Sequence, residues 1–340
     1  MANNTEPREC QIAVREQVGH IKLPRTLTVL EAVAFKQSFQ DLCQANPNLT
    51  QAELDFADTQ FIDSSGIGAM MNVWKMAKHH DLIFSLHNVP QQVMMSLSLA
   101  GLDQYLDIRN TVSETPLKNR RNAGKRKSSR NQSLATHPSV RSPIKRFVDI
   151  VGGLLGLGLT ILLFVPIAIA IKIEDGGPIF FSQTRCSWMG RRFTIWKFRS
   201  MVVDAETLKE DLKDENEAEG AIFKIKNDPR ITRIGQLLRK TSLDEFPQFW
   251  NVLKGDMSLV GTRPPTPDEI EMYEIPQWQR LDVKPGLTGE WQVHGRSSVK
   301  DFEDVIQLDL RYQERWSLMY DFELIFKTVA VLFSKDSGAC

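Results

Sequence analysis

The chain has 340 residues and sets 42 Lys and Arg against 42 Asp and Glu, so no net field selects nucleic acid, and the length allows two domains with a core each. Cys10, Cys43, Cys186 and Cys340 stand far apart with no C-x-x-C spacing, which argues against a zinc site or a disulfide framework and leaves reduced thiols as the simplest state. The polar N-terminus lacks the apolar run of a secretory signal, so no export is expected.

In chain order, residues 11–14 form a short strand candidate, and Val29, Val33, Phe39 and Leu42 recur at helical spacing across residues 29–43. Residues 52–56 alternate like a strand. Phe61-Ile62 leads into Asp63-Ser64-Ser65-Gly66, and Ile67, Met70, Met71, Trp74 and Ala77 give the helix that follows one buried face. Residues 82–86 are a further strand, and residues 93–99 a helix ended by Gly101. Strands alternating with helices predict a small α/β domain, a mixed sheet with helices, over residues 9–112. The run FIDSSGIG at a strand-to-helix junction resembles the STAS domain of anti-sigma factor antagonists, and the resemblance covers nearly the whole domain. It implies a regulatory or dimerisation module, hence a homodimer, with Ser64 at the position phosphorylated in that family. A phosphate there would add roughly two negative charges at a helix start. The plainer alternative is that Asp63 and Ser64 only cap the helix.

From Glu114 to Asp149 no acidic residue intervenes, while Lys118, Arg120, Arg121, Lys125, Arg126, Lys127, Arg130, Arg141, Lys145 and Arg146 accumulate among Ser, Asn, Gly and Pro. Residues 113–141 therefore read as a basic flexible linker. A nucleic-acid arm is one use of such a segment. Anionic lipid is the better partner, because an uncharged apolar run follows at residues 150–171, about 33 Å long as a straight helix. Pro166 and Gly152, Gly153, Gly156 and Gly158 bend or loosen that helix, and both of its flanks are basic, so charge does not orient it.

Residues 180–201 interleave Arg185, Arg191, Arg192, Lys197 and Arg199 with Phe193, Ile195, Trp196 and Phe198, as a strand with one basic face would. Residues 204–219 suggest an exposed charged helix. Arg239 and Lys240 then precede the adjacent carboxylates Asp244 and Glu245, which stand before an apolar helix expected to begin at Pro247 and end at Gly255. The pair would lie at that helix's positive end, where phosphate is also favoured. Ser242 with Glu245 as a capping box is the plainer alternative, although it leaves Pro247 beyond the first turn. Residues 309–333 mix aromatic residues with charges, as a core helix or an interfacial amphipathic helix would.

The runs KFRSM (197–201), DPRITRIG (228–235), LRKTSLDE (238–245) and KPGLTGEWQVHGR (284–296) together resemble the bacterial sugar transferases, the monotopic phosphoglycosyl transferases, over residues 142–335. The resemblance implies a mainly α, membrane-embedded domain, residues 142–340, with a re-entrant helix over about residues 144–173. It further implies transfer of a phosphosugar from a UDP-sugar to polyprenol (undecaprenyl) phosphate with release of UMP, initiating exopolysaccharide, O-antigen or glycoprotein glycan assembly. Asp244 is then the nucleophile of a ping-pong reaction through an aspartyl-phosphosugar intermediate, and Glu245 holds Mg²⁺. Arg239, Lys197, Arg199, Arg263, Thr288, Gln292 and Arg296 are the substrate-binding residues so implied.

A domain without an export signal and a sugar-nucleotide site must share the cytoplasmic face of the inner membrane, which favours re-entry over a full crossing. This chain has Val165 where the family usually has Ser, leaving Thr160 as the hydroxyl nearest the bend. Two other classes of function remain open at this level: a membrane-tethered regulatory binder, and a nucleic-acid binder acting through the linker.

Overall fold

The chain divides into two units, Met1–Thr136 with Glu274–Gln279, and His137–Tyr273 with Arg280–Cys340. The structure, a computed structural model, describes residues 10–109, 136–212, 225, 228–295 and 302–333. In the first unit a five-stranded sheet has the order β1 (Gln11–Arg15), β2 (Val18–Lys22), β4 (Gln51–Asp55), β6 (Ile83–His87), β7 (Asp107–Arg109). Only the β1–β2 pair is antiparallel. Strand β2 gives little sequence signal because its inward positions are Gly19 and Ile21, and glycine contributes no hydrophobic period. A small parallel pair, β3 (Thr26–Leu27) with β5 (Phe61–Ile62), leads into the helices.

Helix α1 (Val29–Ala45) starts at Thr28, whose backbone N donates to Glu31 Oε2 at 3.3 Å, a capping-box contact. It buries Phe35, Phe39 and Leu42. Helix α2 (Ser64–His79) is capped by Asp63, whose Oδ1 accepts from Gly66 N at 2.9 Å. A side chain at position 66 would run into the Leu27 carbonyl and the Ile62 side chain, so only glycine lets α2 start this close to β3 and β5. Helix α3 (Gln91–Leu99) ends before Gly101, which takes the left-handed conformation at φ 73°.

The second unit opens with α4 (Pro138–Arg141), so the last linker residues are helical. Helix α5 (Pro143–Asp175) follows, capped by Ser142 and closed by left-handed Gly176, with Pro166 inside it. One face of α5, including Asp149, Gly153, Gly156, Thr160, Ile167 and Ile171, is buried. The opposite face leaves Phe147, Leu154, Leu155, Ile161, Leu162 and Val165 exposed. Strands β8 (Phe180–Cys186) and β9 (Arg192–Phe198) form an antiparallel hairpin. The charged helix α6 (Ala205–Asp211) is shorter than expected, and the remainder of 204–219 past Leu212 lies outside the described residues.

Helix α7 (Arg233–Thr241) precedes the acidic pair. A 3-10 segment, Leu243–Gln248, then runs directly into α8 (Phe249–Lys254). The helix expected to begin at Pro247 therefore starts earlier and tighter, with Pro247 inside the 3-10 turns. A parallel pair, β10 (Ser258–Val260) and β11 (Gly286–Thr288), brackets α9 (Pro267–Glu271). Helices α10 (Glu290–Gly295), α11 (Phe302–Arg315) and α12 (Leu318–Phe333) complete the unit, so residues 309–333 belong to two helices parted at Trp316-Ser317. Helix α12 is both core and surface: Leu324 is buried, while Met319, Phe326 and Val329 are exposed.

Candidate active site

Helix α7 stops because Ser242 adopts a left-handed conformation, φ 56° and ψ 19°, which a non-glycine residue takes at a cost. That turn reverses the chain and delivers Asp244 and Glu245 in the first turn of the 3-10 segment, as the sequence suggests, although Ser242 makes no side-chain cap there. Strand β9 lies against this segment, and Lys197 Nζ pairs with Glu245 Oε1 at 3.0 Å. Asp244 is buried. Arg239, at the end of α7, donates from Nε to Ser200 Oγ at 2.9 Å. Burial pushes its guanidinium down, and the carboxylates of Asp244 and Asp228 act against that. A dyad thus sits between two cations from different elements.

The hairpin register shows which residues of β8 share this face. Phe181 lies opposite Lys197, Gln183 opposite Ile195 and Arg185 opposite Phe193, so Arg185 projects to the same side as Lys197. Arg185 donates to Pro264 O at 2.9 Å and to Gln183 Oε1 at 2.9 and 2.7 Å. Burial, with Arg263 nearby, pushes it down to about 10 while Glu269 and Glu245 oppose that shift. Arg263 binds Glu269 through both guanidinium nitrogens, at 2.7 and 3.0 Å, and lies 5.8 Å from the Trp291 ring centre. Arg280, fully buried, pairs with Asp309 and donates to Tyr273 Oη at 2.7 Å. Two of these three guanidinium groups hold a carboxylate. Arg185 holds only neutral acceptors, which makes it the member of the group that an incoming anion can engage. Its place among alternating basic residues is visible in the sequence, but the face it shares with Lys197 follows only from the hairpin register.

The other sequence candidates, taken with the nearby side chains of His294 and Asp256, divide. Arg199 is buried and paired with Asp175 at the end of α5. Thr288 is buried, with its hydroxyl 2.6 Å from that of Thr328. Gln292 is half-buried on α10, beside Trp291. His294 is bound to Glu290 at 2.5 Å. Asp256 is buried between Lys254 and Arg191. Arg296 lies outside the described residues, as does the linker from 113 to 135. Ser64 is completely buried in the first unit, so its hydroxyl is closed to a kinase in this conformation.

For Mg²⁺, no group of three or more His, Cys, Asp or Glu side chains converges among the described residues. Asp244 and Glu245 supply one or two carboxylates, which suits an ion that takes its other ligands from water and substrate phosphates. The donor set therefore fits such an ion only together with a phosphorylated substrate.

The dyad is also tied to α5. Thr160 Oγ1 donates to Gly156 O at 2.7 Å and reaches Phe246 O, in the same 3-10 segment as the dyad, at 3.2 Å. It does not turn to the Leu162 carbonyl, which Pro166 leaves without its helical donor.

The family model of bacterial sugar transferases matches residues 140–335, and that of the STAS domain matches residues 9–115. The chain is 51% identical over 191 residues to a galactosyl transferase, CpsE, of Streptococcus agalactiae. It is 43% identical over 199 residues to an undecaprenyl-phosphate galactose phosphotransferase of Salmonella typhimurium. These alignments cover 55% and 57% of this chain but only 42% and 41% of the relatives, so the chain spans less than half the length of those proteins. An exopolysaccharide production protein of Rhizobium meliloti, ExoY, is 38% identical over 198 residues, covering 57% of this chain and 87% of that protein.

Proposed function

Membership of the bacterial sugar transferase family, to which this chain belongs through residues 140–335, is the premise from which we propose that it carries a phosphosugar from a UDP-sugar to a polyprenol phosphate at a membrane surface. The relatives' names supply the two substrates: one acts on undecaprenyl phosphate and galactose, and another is a UDP-galactose-lipid carrier transferase. The observation that carries the reading is the buried Asp244 beside the Lys197–Glu245 pair, on a segment fastened to the apolar helix.

In the proposed reaction an Asp244 carboxylate oxygen bonds to the sugar-bearing phosphorus. The bond to the bridging oxygen breaks, and UMP leaves with the electron pair. An oxygen of the lipid phosphate then displaces Asp244 and takes the phosphosugar. Each approach sets a negative nucleophile against a negative phosphate, at about 4 kcal/mol per charge pair for a separation of about 4 Å and an effective dielectric near 20. Lys197 and Arg239, which flank the dyad, and Arg185, on the same hairpin face as Lys197, lower that repulsion. Glu245 would hold Mg²⁺, which when bound supplies further charge neutralisation on the diphosphate. Neither step requires a proton to be removed from a hydroxyl, so no general base is assigned.

UDP-sugars are made in the cytoplasm, which places the site on that face of the inner membrane. The first unit serves as a docking or dimerisation module, a role that the burial of Ser64 supports over that of a phosphorylation switch. Incubation with a panel of UDP-sugars tests the reaction. Mg²⁺-dependent UMP release and, without lipid acceptor, a phosphosugar adduct on Asp244 detected by mass spectrometry are expected. Sugar transfer without any adduct would replace the two displacements by one.

A further inference from the structure

At the end of the β8–β9 hairpin away from the dyad lies a second group of cations. Arg191 follows the hairpin turn and Lys254 ends α8; they lie 3.5 and 3.0 Å from the two oxygens of buried Asp256. Arg146, in the first turns of α5, donates to Val252 O and Leu253 O at 2.7 and 2.6 Å, closing the C-terminal end of α8. Lys284, two residues before β11, stands among them. Burial pushes its ammonium below the usual lysine range, Arg146 and Arg191 push it further, and Asp149 and Asp256 act the other way.

Asp149 is already committed, since its Oδ1 accepts from Ser258 Oγ at 2.8 Å and from Leu259 N at 2.9 Å. Among the described residues, no acceptor lies within hydrogen-bonding distance of the Lys284 ammonium. A half-buried cation without an acceptor, pressed by two arginines, is costly unless an anion joins it.

The surroundings say which anion. Immediately after Arg146 the outer face of α5 turns apolar, with Phe147 64%, Ile150 38% and Val151 41% exposed. If that face enters lipid, as the proposed function holds, the cations stand at headgroup level. From Arg191 to Lys197 is about 20 Å of strand at about 3.3 Å per residue, so a phosphate here is not the one at Asp244.

We propose that Lys284, Arg191 and Lys254 form a binding site for the phosphate of an anionic phospholipid, separate from the site that handles the sugar nucleotide. The full chain is tested for binding to vesicles of phosphatidylcholine alone and of phosphatidylcholine with phosphatidylglycerol. The Arg191→Gln/Lys284→Gln variant should keep its binding to the neutral vesicles and lose roughly tenfold or more of the gain that phosphatidylglycerol gives the wild type. Lys284→Arg should retain that gain, which separates loss of charge from loss of fold. A linker variant, Lys125→Gln/Arg126→Gln, removes the same number of charges elsewhere; an equal loss from it would mean diffuse attraction and would overturn the site. Competition by inorganic phosphate without any preference for phosphatidylglycerol would assign the cluster to a free anion and overturn the lipid reading. Failure of the wild type to bind neutral vesicles would instead remove the membrane premise and the proposal with it, whether or not UDP-sugar is turned over.

Discussion

Arg263 is a substrate-binding candidate by family resemblance, yet its guanidinium holds Glu269 through both nitrogens, and the pair is largely enclosed. The family resemblance made it a candidate; Arg263 stands in the loop after β10, and a partner six positions along, on α9, decided its contacts, which the motif does not reveal. Burial alone would raise the Glu269 carboxyl, but Arg263 overcomes burial and holds it below the usual carboxylate range. Its stabilising effect is therefore present above the ordinary carboxylate pKa and lost as pH falls through the depressed one. Arg263→Gln should destabilise the protein by about 3–5 kcal/mol because it strands a buried carboxylate, and Arg263→Gln/Glu269→Gln should recover much of that loss. Chemical denaturation of the four proteins in the cycle measures it; additive losses would show that the two groups do not interact. Arg185, with neutral acceptors only, behaves differently. Arg185→Gln should cut kcat/KM for the UDP-sugar roughly 10- to 100-fold with little change in the denaturation midpoint. Asp244→Asn should abolish UMP release and adduct formation together, since the amide is no nucleophile toward phosphorus.

At the scale of elements, the glycines of α5 mark a packing face that periodicity alone does not separate from a generally loosened helix. A Cβ at Gly156 would overlap the Phe249 ring of α8, and one at Gly153 would come within 2.9 Å of the Leu253 side chain. A Cβ at Gly158 would meet nothing within 4 Å. Gly158→Ala should thus be neutral or stabilising by up to about 1 kcal/mol through helix propensity, whereas Gly156→Ala should push α8 and the 3-10 segment away from α5 and lower kcat. Parallel denaturation and UMP-release assays on both variants distinguish this from a uniform response to glycine loss. Thr160 adds a polar tie to the same interface through Phe246 O. The sequence located the apolar run, the acidic pair and the Gly255 stop. It missed the 3-10 geometry, because Leu243–Gln248 has no period of its own and is shaped by Ser242, β9 and α5 around it. The short β10–β11 pair, three residues per strand, was too brief to show alternation.

For the second unit as a whole, the question is how a 33-residue apolar helix, about 50 Å long at 1.5 Å per residue, meets a bilayer. Near its start Lys145 Nζ pairs with Asp321 at 2.6 Å and donates to Val260 O at 3.0 Å, all buried. Near its end Glu174 accepts from Arg233 N and Ile234 N at the start of α7, at 2.7 and 3.1 Å, and Asp175 pairs with Arg199. Between these, Ile167 and Ile171 pack with Phe198 and Leu238. A helix crossing from one side to the other would carry one of these polar attachments out of reach of the body that makes the other. Separating Lys145 from Asp321 would leave unpaired charges in a low-dielectric setting at a cost of several kcal/mol. Under the proposed function, helix α5 presents its exposed apolar face to lipid while both of its ends stay with the same body. Single cysteines placed at Ile144 and Ile173, both strongly exposed, should both react with a membrane-impermeant thiol reagent in inverted membrane vesicles, where the cytoplasmic face is outward, and neither should react in intact cells. Labelling of the two positions from opposite sides would require the buried Lys145–Asp321 and Arg199–Asp175 pairs to be broken in the membrane-bound protein.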